Sequence, residues 1–144
     1  MQNCSSPCSF GLLLGRILLS FIFILSGIFK FVNYDSTVQM MAAKGMTLVP
    51  FFLVTAALLE IVGGIFILIG FYTRIGALLL LIFILPTTLI FHDFWNVQGS
   101  EMEMQMSNFL KNVAIMGGLL YVACTGAGKL SIDRCMPCNT KITG

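Results

Sequence analysis

The sequence predicts an all-α integral membrane protein, an antiparallel bundle of four transmembrane helices. Of its 144 residues, 58% are hydrophobic and only 10% are charged, whereas soluble domains carry about 25% charged residues. The apolar residues form four long runs, each close to the roughly 20 residues that cross a bilayer as a helix. The alternating pattern of membrane barrel strands is absent, so helices are the remaining way to pair backbone groups in lipid.

The predicted helices cover residues 11–31, 50–70, 75–94 and 109–127. The first run is too long for the apolar part of a signal peptide, and no cleavage site of small residues follows it, so we expect it to be retained. Residues 32–49 mix polar and apolar side chains and predict a short helix along the membrane surface. The short connection around 72–74 predicts an antiparallel hairpin. The polar, methionine-rich residues 95–108 are expected to form a loop.

We therefore expect one membrane domain, residues 11–128, between two polar tails, residues 1–10 and 129–144. The net charge is +2 and the eight Lys and Arg residues are scattered, which argues against nucleic-acid binding. More of these cations fall on the side of the chain ends than on the other side. By the positive-inside rule, both termini are expected in the cytoplasm.

Several polar side chains fall inside the predicted spans, where charge is costly and usually marks a functional site. Glu60 lies in the middle of the second span. It could pair with Lys30, Lys111 or Arg16, act as a neutral hydrogen-bond donor, or only hold helices together. Arg16 itself shares a helix face with Lys30, or extends back to the lipid headgroups. The only histidine, His92, is a candidate proton shuttle or ligand donor, or an ordinary interfacial residue.

These polar groups are expected to meet at one mouth of the bundle. In antiparallel spans, Lys30, His92, Lys111 and Asn112 reach the same outer depth, and Glu60 lies beneath them. Such convergence of acid, base and amide groups above apolar helices is typical of a binding pocket. The sequence thus predicts an outward-facing ligand pocket formed by Lys30, Glu60, His92, Lys111 and Asn112.

Four of the five cysteines lie in the tails: Cys4 and Cys8 near the start, and Cys135 and Cys138 in a CxxC near the end. Both pairs are expected on the cytoplasmic side, where thiols stay reduced. They could form a dithiol redox couple or a four-thiolate metal site, or be ordinary tail thiols. The spacing alone assigns no metal.

A specific set of short motifs runs through the chain. These include Gly15-Arg16, Ser26-Gly27 with Lys30, Leu59-Glu60 with Gly63-Gly64, Phe91-His92 with Phe94-Trp95, Phe109 to Asn112, and Leu130 to Asp133. With these motifs the chain resembles the DoxX family of small bacterial membrane proteins, from about Gly11 to Asp133. The resemblance implies a left-handed four-helix bundle in the bacterial inner membrane and an association with redox systems, since the family is named after a small subunit of an archaeal thiosulfate:quinone oxidoreductase. The paired terminal cysteines are not part of the family pattern.

Three functional hypotheses follow. The first is an auxiliary membrane subunit whose pocket binds a quinone or a small polar metabolite and supports a redox protein partner. The alternative is a thiol or thiosulfate oxidoreductase that uses the terminal cysteine pairs, although these are expected on the face opposite the pocket. A third is a small transporter, which four helices could form only as a homo-oligomer. Quinone is the cofactor that the first hypothesis suggests, and the lipid bilayer is the partner that all three hypotheses share.

Overall fold

A computed structural model describes residues 6–135 of the chain, with the side chains of residues 9–134. The helices are α1 (Ser6–Val32), α2 (Tyr34–Ala43), α3 (Val49–Ile69), α4 (Thr73–Phe91), α5 (Ser100–Thr125) and the short α6 (Ile132–Cys135), with a 3-10 turn at Phe94–Asn96. No strand occurs between residues 6 and 135, so the all-α class is confirmed.

Within the described residues, three segments are long and apolar enough to cross a membrane: Ser9–Val32, Val49–Ile69 and Thr73–Asn96. Helix α3 illustrates how their side chains are distributed. Its acidic Glu60 is 5% exposed, whereas Leu58 is 51% exposed. An apolar exterior around a polar interior is the arrangement that lipid requires, because apolar side chains lose nothing by facing hydrocarbon. The chain is a membrane protein.

The helices pack in a chain of neighbours, α1 against α3, α3 against α4, and α4 against α5, while α5 touches α1 only slightly. Glycines allow the closest approach, between α1 and α3. A Cβ atom on Gly27 would lie 2.6 Å from Ile61 Cγ1 and 2.7 Å from the Ala57 carbonyl oxygen. Gly64 is equally confined by Ile24, whose Cγ1 would be 2.8 Å away. The small residues of these two helices therefore form a packing surface.

Helix α5 begins at Ser100, so the expected loop over residues 95–108 was wrong for most of its length. Glu101 and Glu103 lie in the first turn, where negative side chains interact favourably with the helix dipole. A helix can extend through polar residues beyond its apolar part, and hydropathy alone does not reveal this extension. Helix α1 likewise begins at Ser6, before the apolar run, whereas α3 and α4 lie close to the predicted bounds.

Arg16 connects several segments by hydrogen bonds at the end of the molecule where α6 lies. Its side chain is 3% exposed. Its guanidinium donates to the carbonyl oxygen of Ala127, to that of Leu130 at 3.0 Å and to that of Leu68 at 3.1 Å. This burial favours the inward-facing alternative over contact with lipid headgroups. Arg16 joins the end of α3 to the segment after α5.

Asp133 caps the start of α4 from the same segment. Its carboxylate accepts hydrogen bonds from Tyr72 N at 2.7 Å, from Thr73 N at 3.1 Å and from Thr73 Oγ1 at 2.9 Å. Its own N–H donates to the Gly70 carbonyl at 2.7 Å. A carboxylate that satisfies the free N–H groups of a helix start stabilises that helix.

We expect Asp133→Ala to lower the free energy of unfolding by about 1–2 kcal/mol, because the first N–H groups of α4 lose their acceptor. Reversible unfolding in mixed detergent and SDS micelles measures the loss. Asp35→Ala in the first turn of α2 is the control, and we expect it to change stability by less than about 0.5 kcal/mol. Equal losses in the two variants would show that the cap contributes nothing.

Candidate ligand-binding site

The centre of the candidate site is a triad of side chains from α1 and α3. Lys30 Nζ lies 2.6 Å from Glu60 Oε2 and donates to Ser26 Oγ at 2.8 Å. The Ser26 hydroxyl in turn donates to Glu60 Oε1 at 3.2 Å. Ser26 and Lys30 are four residues apart and thus share a face of α1. Of the cations considered for Glu60, the structure places Lys30 beside it.

The triad lines a small, partly open polar cavity of about 240 Å³ between α1, α3, α4 and α5, which we call the inner chamber. All five residues of the predicted pocket line this cavity: Lys30, Glu60, His92, Lys111 and Asn112. The side chain of Glu60 is 6% exposed and that of Lys30 is 23% exposed. The chamber therefore holds an ion pair that is largely withdrawn from the outside of the molecule.

The residues from α4 and α5 are held by their own hydrogen bonds. Asn112 Nδ2 donates to Thr88 Oγ1 at 3.0 Å, and the buried Thr88 hydroxyl donates to the Ile84 carbonyl at 2.7 Å. His92 Nδ1 lies 3.0 Å from Gln105 Oε1. With Nδ1 donating to that oxygen, Nε2 of a neutral imidazole is an acceptor. These contacts fix the orientation of Asn112 and of the His92 ring.

Lys111 is less enclosed than the other four residues. Its side chain is exposed, and its Nζ donates to Asn108 Oδ1 at 2.9 Å. The two residues are three positions apart on α5, as expected from helical spacing. Lys111 thus contributes positive charge at the edge of the inner chamber rather than at the Lys30–Glu60 pair.

A larger, mainly apolar cavity of about 740 Å³ adjoins the inner chamber; we call it the outer cavity. Five residues line both: Ser26, Lys30, Phe83, Thr87 and His92. The remaining lining is largely apolar and includes Phe52, Leu53 and Ala56 of α3, and Met40 and Met41 of α2. The two spaces therefore form one site with an apolar part and a polar end.

An ion pair fixes the segments around this end of the molecule. Lys44 Nζ lies 2.5 Å from Asp93 Oδ1, and Asn96 Nδ2 donates to Asp93 Oδ2 at 3.0 Å. The pair links the end of α2 to the segment that follows α4. Because α2 supplies part of the outer-cavity wall, the Lys44–Asp93 pair helps to hold that wall in place.

Sequence reasoning missed Ser26, Thr88 and Gln105 as partners within the site. The spacing of Ser26 and Lys30 could have indicated the first, since residues four apart meet on a helix. Nothing in the sequence indicates that Thr88 lies beside Asn112 or Gln105 beside His92, because these contacts depend on how α4 and α5 are rotated against each other.

The predicted thiol site falls outside the part of the chain that the structure describes. Cys4 and Cys138 lie outside the described residues, as do the side chains of Cys8 and Cys135. Cys124 of α5 is an exposed free thiol. Among the described residues, no group of three or more His, Cys, Asp or Glu side chains could hold a metal ion.

The fold and the site define a small helical membrane protein with an internal polar chamber. A family model described as DoxX matches residues 11–93. The chain is 39% identical over 123 residues to the inner membrane protein YphA of Escherichia coli, covering 85% of this chain and 88% of that protein. It is 42% identical over 124 residues to YqjF of the same organism, covering 86% and 90% of the two chains. The chain belongs to the DoxX family.

A more distant similarity extends to a eukaryotic protein. The chain is 32% identical over 76 residues to an ER-derived vesicles protein of Saccharomyces cerevisiae, which covers 53% of this chain and 24% of that protein. No solved structure matches the chain.

Proposed function

We propose that this protein is a ligand-binding subunit of a quinone-linked redox system in the bacterial inner membrane. The observation that carries the proposal is the junction of the apolar outer cavity with the polar inner chamber at Lys30 and His92. A quinone has a carbonyl-bearing ring and an apolar tail, and the joined site offers a surface for each. The inner-membrane relatives YphA and YqjF support the location.

The size and hydrogen-bonding capacity of the site fit such a ligand. Small-molecule sites usually enclose about 300–1,000 Å³, and the outer cavity alone has about 740 Å³. A lysine ammonium has three donors. Within the described chain, Lys30 uses two of them, for Ser26 and Glu60. The third can donate to a quinone carbonyl, while His92 Nε2 can accept from a ring hydroxyl of the reduced form.

The proposal includes a topology of four antiparallel membrane spans with both termini in the cytoplasm. As the residue number increases along α1, the number of the facing residue on α3 decreases, since Gly64 faces Ser20 and Gly27 faces Ala57. This is the pattern of two helices that run in opposite directions. On α4 and α5, Thr88 contacts Asn112 and His92 contacts Gln105, which is again the pattern of opposed helices. We infer that the apolar second half of α5 is the fourth span, and that the inner chamber lies nearer to the outer face.

A separate redox partner completes this account. Among the residues that the structure describes, those that line the two cavities offer amine, hydroxyl, imidazole, amide and carboxylate groups, and none of them is a cysteine. This composition favours binding of the ligand by this subunit and electron transfer by a partner. It supports the auxiliary role over the thiol oxidoreductase alternative.

The test is the affinity of the purified protein, in lipid nanodiscs, for a short-chain ubiquinone. The single tryptophan, Trp95, lies three residues from His92, and quenching of its fluorescence reports binding. We expect Lys30→Gln to weaken binding about 10-fold or more, because a charge-assisted hydrogen bond contributes about 1.5–3 kcal/mol. Lys129→Gln is the control, since Lys129 is exposed and lines neither the outer cavity nor the inner chamber.

A second pair of variants separates cavity binding from partition into lipid. Ala56 lines the outer cavity, so Ala56→Phe should fill it and weaken quenching. The adjacent Thr55 is exposed, and Thr55→Phe should leave quenching unchanged. Equal quenching in the original protein, Lys30→Gln and Ala56→Phe would rule out a quinone site in this cavity.

A further inference from the structure

Two arginines lie together at the end of the molecule opposite the inner chamber. Arg74 at the start of α4 and Arg134 of α6 line a polar depression of about 510 Å³. Both side chains are exposed. Between residues 6 and 135, neither guanidinium makes a hydrogen bond or an ion pair. Their donors are therefore available to an external anion.

The surroundings of this depression carry little negative charge. Asp133 is the acidic residue that lines it, and its carboxylate already accepts from the backbone of Tyr72 and Thr73 and from the Thr73 hydroxyl. The other acids of the chain lie in the inner chamber or at the opposite end: Asp35, Glu60, Asp93, Glu101 and Glu103. The depression is thus a positively charged surface at one end of the membrane-spanning helices.

An apolar groove of about 520 Å³ between α1 and α5 leads to this depression. Thr125 and Gly126 line both spaces. Along the groove, Leu18 and Leu19 of α1 lie opposite Ala114 of α5. A Cβ atom on Gly15 would meet nothing within 4 Å, so the described chain leaves room there for another apolar group.

We propose that an anionic phospholipid binds here, with an acyl chain in the α1–α5 groove and its phosphate at Arg74 and Arg134. Arginine pairs with phosphate through two parallel hydrogen bonds, and basic pockets between membrane helices are typical sites for acidic headgroups. The apolar groove leads into the charged depression, just as the acyl chains of a lipid lead to its charged headgroup. The groove shares Ile22, Lys111 and Ile115 with the inner chamber, whereas the depression at Arg74 and Arg134 shares no lining residue with it. The lipid proposal does not depend on quinone binding.

The test is native mass spectrometry of the delipidated protein with phosphatidylglycerol and, separately, phosphatidylcholine of identical acyl chains. We expect phosphatidylglycerol to bind more tightly. Arg74→Gln and Arg134→Gln should each weaken it about 5-fold, and together about 30-fold. Lys44→Gln removes one positive charge at the opposite end of the molecule and should have no effect. Equal binding of the two lipids, or an equal loss in Lys44→Gln, would overturn the proposal.

Two further arms test the groove itself. Gly15→Leu should fill it and weaken phosphatidylglycerol binding about 10-fold, whereas Gly117→Leu should not, because Gly117 does not line the groove and has nothing within 4 Å of its Cβ position. Glycerol phosphate supplies the headgroup without the chains and should not compete at millimolar concentration. If it competes as well as the lipid, or if both leucine variants bind normally, the groove holds no acyl chain and the proposal fails.

Discussion

Replacing Lys30 by methionine is expected to destabilise the protein by about 3 kcal/mol. Removing one member of a buried ion pair costs about 3–5 kcal/mol, because the remaining charge stays buried without compensation. We place the effect at the low end since the Lys30 side chain is 23% exposed. After the change, Glu60 keeps only the Ser26 hydroxyl as a hydrogen-bond donor among its partners in the described chain. Reversible unfolding in mixed micelles measures the loss.

Two further variants identify the cause of this loss. In the double variant Lys30→Met/Glu60→Gln, the unpaired carboxylate is absent, so at least half of the lost stability should return. Lys44→Met breaks the surface ion pair with Asp93, whose two charges stay in contact with solvent, and should cost much less than Lys30→Met. The double variant could instead lose as much stability as the sum of Lys30→Met and Glu60→Gln, or Lys30→Met and Lys44→Met could cost the same. Either result would mean that the Lys30–Glu60 pair does not form.

The second large effect concerns the contact between α1 and α3. We expect Gly27→Ala to cost about 2 kcal/mol and Gly27→Val to prevent stable folding. The added Cβ would lie 2.7 Å from the carbonyl oxygen of Ala57 and 2.6 Å from Ile61 Cγ1. A backbone oxygen cannot move without separating the helices, and overpacking of this kind costs about 1–3 kcal/mol or more.

Gly117→Ala and Gly117→Val provide the matched control, because a Cβ at Gly117 meets nothing within 4 Å. Neither change should reduce the yield of monodisperse protein or its resistance to SDS. Normal stability of Gly27→Ala would show that α1 and α3 are farther apart than in this structure. Since Ser26 and Lys30 flank Gly27 on α1, that result would also remove the basis for the triad.

The membrane class and the approximate bounds of α3 and α4 could be predicted because lipid imposes a simple rule on length and polarity. The same rule misjudges the beginning of α5 and its length. Its polar first part is helical although it resembles a loop, and Ser100–Thr125 as a whole does not meet the criterion for a membrane span. Helix α5 carries polar residues that face the inner chamber or the surface, so its average hydropathy is low.

That Lys30, Glu60, His92, Lys111 and Asn112 would line one cavity could be predicted, because charge inside a span is costly and residues at equal depth tend to be near each other. The pairing of Glu60 with Lys30 could not, since hydropathy does not fix the rotation of one helix against another. The role of Arg16 was equally hidden. Its partners are backbone carbonyls of residues far along the chain. Because every residue has a backbone carbonyl, the sequence does not indicate which of them accept these hydrogen bonds.

The most direct test of the proposed ligand site is photolabelling with an azido-quinone in nanodiscs, followed by mass spectrometry of the modified peptides. We expect labels within residues 26–41 and 83–92, which contain lining residues of the outer cavity, and we expect excess short-chain ubiquinone to suppress them. Labels confined to exposed positions such as Leu58 and Val62, or labels that competitor does not reduce, would contradict quinone binding in the joined cavities.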